Sequence, residues 1–389
     1  MENPDFEYRL IFPFEHWHNH SSCIVEMPGD SAEFRACWYR GSGERRSDDV
    51  HVCGARLYPG SDWSPLPTLA DTPGFPDTNP FMMVDARNRW WVFYGTQIDN
   101  RWESTLLKFR RSDPFGNILS DHGLIHLKPD DDAFQETVDR LLPMAYETAL
   151  ATLPDQTEKL KAYIAAQKER SRDKLSRRIG WMGRCRPLVE GARIFLPLYS
   201  DGFDFSLIAI SEDHGETWHA SLPMIGPGAV QPSLLRRRDG TLVAFCRNNG
   251  PEPNKVLVSE SHDNGYTWTV ARPGTLPNHG SSVDGLVLKD GRWLLCYNDT
   301  PNSKRNSLVV ALSEDEGGTW QPPHIVERAE PGVGSFAYPS VLQARNGDLH
   351  ITYTCTREGS DVPTDVAGRP QRETIKHARL SHDRLKSWK

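Results

Sequence analysis

Nine residues before the turn glycine of successive strand pairs stands a polar residue each time: His20 before Gly29, Gln231 before Gly240, Ser282 before Gly291 and Tyr338 before Gly347. Asn79 stands the same distance before Asn88, and Arg186 opens a shorter version of the unit before Gly191. Between polar residue and glycine runs an apolar stretch, and a second apolar stretch follows the turn, as in Gln231-Pro-Ser-Leu-Leu and Leu242-Val-Ala-Phe245. This is the pattern of a β-hairpin. The units start at residues 20, 79, 186, 231, 282 and 338. Hairpins recurring at roughly 40 to 50 residues imply the blades of a β-propeller. The expected fold is an all-β, six-bladed propeller of four-stranded antiparallel blades forming a single domain over residues 1–389. A seventh blade would have to come from residues 100–180. The segment around Phe6 to Phe12 is expected to close the ring by pairing with the last blade.

A second repeat runs in phase with the first. Ser211-x-Asp213-x-Gly215-x-Thr217-Trp218 recurs at Ser261 to Trp268 and at Ser313 to Trp320, with Asp-to-Asp steps of 50 and 52 residues. The Asp can accept backbone N–H groups inside a tight turn, the Gly can adopt a conformation closed to other residues, and the Trp can wedge between sheets. An Asp that closes its own turn is a structural residue, so this repeat speaks for fold.

The octapeptide resembles the Asp box of sialidase-like propellers. The wider sequence resembles the branch of BNR-repeat proteins labelled neuraminidases, including α-L-rhamnosyl-glucuronidases. The matching stretches run from His20 to Glu26, Trp38 to Glu44, Pro277 to Ser282, Leu294 to Asn298, Tyr338 to Gln343 and His350 to Tyr353, with Ile375 to His377. The resemblance implies a carbohydrate-active enzyme, and it puts a single catalytic histidine at the start of the first blade, the position of His20. Sialidases themselves hold the sialate carboxylate with three arginines, use a Tyr/Glu nucleophilic pair and carry a Phe-Arg-Ile-Pro-like segment. This chain lacks that segment, and only Arg184 and Arg186 open an inner strand.

Composition narrows the partners. A net charge of −7 over 389 residues argues against nucleic acid, which calls for a basic excess. No stretch approaches the ~20 apolar residues of a membrane span, and no signal peptide is read at Met1 to Asp5, so a cytoplasmic location is expected. Seven cysteines lie scattered without any C-x-x-C pair, which reads as reduced thiols packed in strands. His16, His18 and His20 alternate, but no carboxylate stands at matching spacing; neither metal nor cofactor is expected. Residues 130–178 form an insertion, read as two antiparallel helices between blades two and three. Leu160, Tyr163, Ile164 and Gln167 fall at helical spacing, with acids leading and bases trailing. It packs on the rim, mediates a homodimer, or walls the site.

Chain geometry sorts residues by face. In a four-stranded blade, the start of the inner strand and the loop joining the second strand to the third share one end; the Gly turns and Asp boxes share the other. The expected catalytic group is His20, Arg186 and Tyr338. The expected substrate-binding residues are His18, Arg40, Glu44, Asn79, Trp181, Arg184, Tyr199, Gln231, Arg247, His279 and Asp284. For each, packing or ion pairing is the alternative. The expected function is an exo-acting glycoside hydrolase that cleaves a terminal sugar, rhamnose as the specific guess, from a uronate-containing glycan. His20 would serve as acid or base and arginine would fix the acidic sugar. β-Elimination by a lyase uses the same residues, a sialidase is a third reading, and a glycan-binding propeller without catalysis is a fourth.

Overall fold

The computed structural model describes residues 1–113, 119, 121–300 and 304–388. Six antiparallel sheets are arranged in chain order around an axis. Blade one comprises His18–Glu26, Phe34–Gly41, His51–Leu57 and Ser64–Pro65; blade two comprises Asp77–Val84, Trp90–Gln97, Thr105–Arg111 and Asp121–Leu124. In blade three the inner strand is split into Met182–Gly183 and Leu188–Glu190, both paired with Arg193–Ser200, followed by Phe205–Ser211 and His219–Ala220. Blade four runs from Ala229–Arg236 to Arg272–Pro277 and blade five from Asp284–Val287 to His324–Arg328. Blade six comprises Gly334–Gln343, Leu349–Arg357 and Glu373–Leu380, and its fourth strand is Glu7–Leu10 from the other end of the chain. The ring therefore closes as the sequence led us to expect.

The turn positions behave as the spacing implies. Gly29, Gly240, Gly291 and Gly347 have φ between +91° and +94°, and Asn88 and Gly191 have φ of +60° and +63°. The nine-residue alignment nevertheless slips by one at His20. Inner strands of blades one, two, four and six each carry a bulge at the funnel end, where two residues oppose one: Ser21-Ser22, Asn79-Pro80, Gln231-Pro232 and Tyr338-Pro339. The first residue of each bulge has positive φ, +59°, +47°, +53° and +54° respectively. Ser21, then, is the counterpart of Asn79, Gln231 and Tyr338. His20 lies one residue earlier, paired with Tyr39 in regular strand.

The Asp boxes close as expected. Asp213 Oδ1 accepts the Thr217 and Glu216 amides at 2.9 and 3.1 Å, its Oδ2 accepts the Thr217 hydroxyl at 2.6 Å, and Ser211 Oγ accepts the Gly215 amide at 2.7 Å. The same pattern holds at Asp263 and Asp315. Trp320 then packs edge-on against Phe245 of the preceding blade, ring centroids 5.6 Å apart. Six of the seven cysteines are buried as free thiols and Cys53 is half-buried. Among the described residues no helix is long and apolar enough to cross a membrane.

The insertion forms α1 (Asp131–Ala145), a short α2 (Glu147–Thr152) and α3 (Thr157–Arg172). Asp130 caps α1 by accepting the Ala133 amide at 2.9 Å. Phe134, Val138, Leu141 and Leu142 of α1 and Leu160 and Ile164 of α3 join one apolar core with Trp181, Phe203 and Phe205. The helices thus spend their apolar faces on blade three.

Candidate active site

The bulged ends of the inner strands meet at one end of the channel and form an open bowl. Its floor is buried. Tyr199 at its base accepts hydrogen bonds from Asn79 Nδ2 at 3.1 Å and Gln231 Nε2 at 3.2 Å. Above it stands the half-buried ring of Tyr338. Three guanidinium groups from three blades converge on this ring. Arg184 lies 5.2 Å and Arg305 5.5 Å from its centroid, and Arg247 Nη1 donates to its hydroxyl at 3.0 Å. None of the three has a carboxylate oxygen within 4.0 Å among the described residues. Arg184 is 1% exposed, and Nε of both Arg184 and Arg247 is buried without a hydrogen-bond partner. Buried cations are ordinarily paired. Among the described residues these three guanidinium groups have carboxylates in electrostatic reach and none in direct contact.

Beside this cluster lies a second group with the opposite balance. The His20 ring packs 4.2 Å from Tyr338, 5.5 Å from His18 and 5.9 Å from Tyr39. The Tyr39 hydroxyl donates to Glu44. His18 Nδ1 bonds Glu373 at 3.0 Å and its Nε2 lies 3.9 Å from Glu44. Burial opposes charge on His18, but the hydrogen bond to Glu373 and the nearby Glu44 carboxylate outweigh it and push its pKa up to about 10. For His20, burial pulls the pKa down to about 3; the charges of His18, Arg305 and Arg184 reinforce this and Glu44 only partly offsets it. Burial would raise Glu44, yet the nearby imidazoles of His18 and His20 and the hydrogen bond from Tyr39 hold it at about 2. At neutral pH the group is an imidazolium, a neutral imidazole and a carboxylate.

With this geometry in view, similarities to known proteins can be placed. Residues 168–351 match the BNR repeat-like domain family. The chain is 23% identical over 186 residues to the anhydrosialidase of Macrobdella decora, an alignment covering 42% of this chain and 23% of that protein. The chain thus spans about a quarter of that relative's length. Among solved structures, it superposes on the NanB sialidase of Streptococcus pneumoniae with a TM-score of 0.66 at 12% identity, covering 98% of this chain and 71% of that one. A protein of unknown function from Dyadobacter fermentans gives 0.65 at 15% identity, covering 98% and 100%. At these identities the superpositions establish the propeller fold.

The bowl gathers His18, His20, Glu44, Asn79, Arg184, Tyr199, Gln231, Arg247 and Tyr338, with His279 half-buried in the loop whose Gly280 carbonyl accepts from Arg305 at 2.9 Å. Four expected residues lie elsewhere. Arg186 lines a cavity of about 400 Å³ at the turn end of the channel with Glu26 and Arg345; it falls in the stretch 184–187 that separates the two halves of the split inner strand. Asp284 is 1% exposed beneath the bowl, where it accepts from Ser233 Oγ and the Val341 amide and balances Arg186 and Arg184. Arg40 is tied to Glu15 at 2.6 and 3.0 Å and lies over Trp17 on the rim. Trp181 is buried under the insertion, its Nε1 donating to the Arg177 carbonyl at 2.8 Å. Three contributors went unforeseen: Arg305, Tyr39 and Glu373. Arg305 lies between Trp293–Asn298 and Ser307–Ser313, the second and third strands of blade five, so the face rule applied to that loop finds it.

Among the described residues no group of His, Cys, Asp and Glu is arranged to hold a metal ion. A cavity of about 520 Å³ between blades one and six lies at the turn end, but its Arg345 and Arg379 are already paired with Glu26, Asp348 and Glu7. The cationic demand is in the bowl.

Proposed function

We propose that this chain is an exo-acting glycoside hydrolase whose substrate carries a carboxylate at or next to the scissile bond. The observation that supports it is the convergence of Arg184, Arg247 and Arg305 on Tyr338 with no carboxylate oxygen within 4.0 Å of any of them among the described residues. A hydrogen bond to a charged group contributes about 1.5–3 kcal/mol, so even two such contacts would orient an acidic sugar firmly. At a pKa near 3 His20 has no proton to donate at neutral pH, so of the acid and base roles only the base is open to it in the free protein. A bound carboxylate would offset the field of Arg184 and Arg305 that depresses His20. Binding the substrate therefore raises the imidazole's basicity where it is needed.

Two finer substrates follow. Rhamnose linked to glucuronate is supported by the match of His20 to the histidine of rhamnosyl-glucuronidases. A sialoside is supported by the three arginines and by the sialidase relatives, although among the described residues the side chains bonded to the Tyr338 hydroxyl are Arg247, at 3.0 Å, and Gln231, at 3.4 Å, and neither is a glutamate. A panel of rhamnosyl-uronates, sialosides and neutral pyranosides, with products weighed by mass spectrometry, tests the reading. We expect turnover of an acidic glycoside with addition of one water. Turnover of neutral pyranosides alone would overturn it, and an ultraviolet-absorbing product lacking that water would make the enzyme a lyase. His20→Ala should abolish turnover while ligand binding persists; unchanged binding with no turnover in the unmodified protein would indicate a lectin-like propeller.

A further inference from the structure

The loop from Ser200 to Asp204 leaves blade three at the bowl and is held from behind by the insertion. Tyr163 of α3 donates to the Phe203 carbonyl at 3.3 Å, and the Phe203 ring packs 5.6 Å from Phe134 of α1 and 5.8 Å from Trp181. Arg170 of α3 and Glu103 of blade two close on Gly202, so that a Cβ there would lie 2.9 and 3.0 Å from them. The loop is bound forward as well: the Asp204 amide bonds the Ser200 carbonyl at 2.8 Å, and Asn249 Nδ2 bonds Asp204 Oδ1 at 2.9 Å. One member of this fixed loop has no such bond. The Asp201 carboxyl is half-buried, and among the described residues no hydrogen-bond donor reaches it and no cation lies within 4.0 Å. It lies within the electrostatic reach of Arg247 and Tyr199 on the bowl side.

We propose that Asp201 is the general acid of this site, held at the edge of the arginine cluster by the helical insertion. The inference rests on the hydrolase reading above. The groups facing Asp201 are Asp204 on its own loop, Arg247 of blade four, Glu103 of blade two and Arg45 of the blade-one loop. Burial and the neighbouring Asp204 push its pKa up to about 6, with Arg247 opposing. Glu44, held near 2 on the other side of the bowl, is ionised under the same conditions. Two carboxyl groups driven apart in this way take different roles, one giving a proton and one remaining anionic. In the step, the Asp201 O–H transfers its proton to the glycosidic oxygen while the bond from that oxygen to the anomeric carbon breaks. The bonding pair stays with the oxygen, which leaves as a neutral alcohol. Water then bonds the anomeric carbon and gives up its proton to His20, and proton exchange with solvent restores the neutral imidazole and the Asp201 carboxyl.

Asp201→Asn tests this with two acidic glycosides of the same sugar, one with a sugar alcohol as leaving group and one with nitrophenolate, which needs no proton to depart. We expect kcat on the first to fall by about 100-fold or more and on the second to change far less, with the alkaline limb of the unmodified enzyme's pH profile lost. Asp204→Asn, which removes the like charge, should move that limb to lower pH. Equal losses on both substrates, or a limb that survives in Asp201→Asn, would overturn the proposal while leaving the hydrolase reading intact. An unmodified protein inactive on both glycosides would overturn both. Thermal unfolding of each variant, matching the parent, excludes a folding defect as the cause of any loss.

Discussion

His18 and His20 stand two positions apart on one strand, and their surroundings drive them in opposite directions. Two glutamates hold the first as a cation, whereas burial and three positive neighbours keep the second neutral. Each shift links stability to pH with its own sign. The folded pKa of His18 is raised above its ordinary value, so its stabilisation is complete below pH 6.5 and lost as pH rises through about 10. His18→Gln should therefore narrow its gap in melting temperature to the parent as pH climbs from 7 to above 10; a constant gap would contradict the Glu44–His18–Glu373 network. The folded pKa of His20 is depressed, so the unfolded chain takes a proton below 6.5 that the folded chain refuses until about 3. Stability should fall as pH drops across that window, and His20→Gln should lessen the fall. At this scale the sequence was informative about which side chains reach the bowl and silent about their charge. Burial and the distant partner Glu373 set the protonation, and neither is written near residue 20. Arg186 and Arg184 show the same limit: spacing put both at the start of an inner strand, and only the fold shows that Arg184 lies against Tyr338 while Arg186 lines the cavity at the turn end.

A bulge recurs at the funnel end of four inner strands, and it explains both the success and the slip of the repeat. The glycine spacing survives because the turn and the apolar run after it are fixed by backbone conformation and packing. The polar end shifts because an extra residue can be absorbed there with φ positive. Asn79, Gln231 and Tyr338 hold this conformation and direct their side chains into one hydrogen-bonded group around Tyr199. Such strain, of order 1–3 kcal/mol per residue, gathers at functional sites. Ser21 holds it too, with φ of +59°, fully buried, and among the described residues its hydroxyl has no hydrogen-bond partner. Ser21→Gly removes both the strain and the stranded hydroxyl and should stabilise the protein by about 1 kcal/mol, read as a higher denaturant midpoint. Ser21→Val, β-branched at positive φ, should destabilise it by more than that. If both variants destabilise equally, the bulge is not under strain.

The whole ring is held shut without a covalent link, and the bowl lies across the seam. Glu7–Leu10 pairs with Glu373–Leu380 in register from Glu7 opposite Arg379 to Leu10 opposite Lys376. Around it, Asn3 Nδ2 bonds the Ile325 carbonyl at 2.6 Å, Lys376 Nζ bridges Glu2 and Glu327 at 2.6 and 2.7 Å, and the buried ring of Phe6 packs 5.8 Å from Trp388. Glu373, on the same blade-six strand, reaches across to His18 of blade one at 3.0 Å. The seam between blades six and one thus places one of the two carboxylates that keep His18 charged. The insertion contributes to the ring in another way: its apolar faces are committed to blade three, so a dimer formed through it would have to use the polar outer faces of α1 and α3. Phe6→Ala tests the seam, because truncating a buried phenyl ring costs about 3–5 kcal/mol. We expect the melting temperature to drop and amide exchange to accelerate first in Glu373–Leu380, while the Asp-box turns of blades three and four keep their protection until global unfolding. The proposed glycosidase activity should fall with the loss of Glu373 from His18, ahead of the melting transition. Uniform acceleration in every blade would instead mean that the ring opens only as a unit and that the first strand is no weaker than the rest.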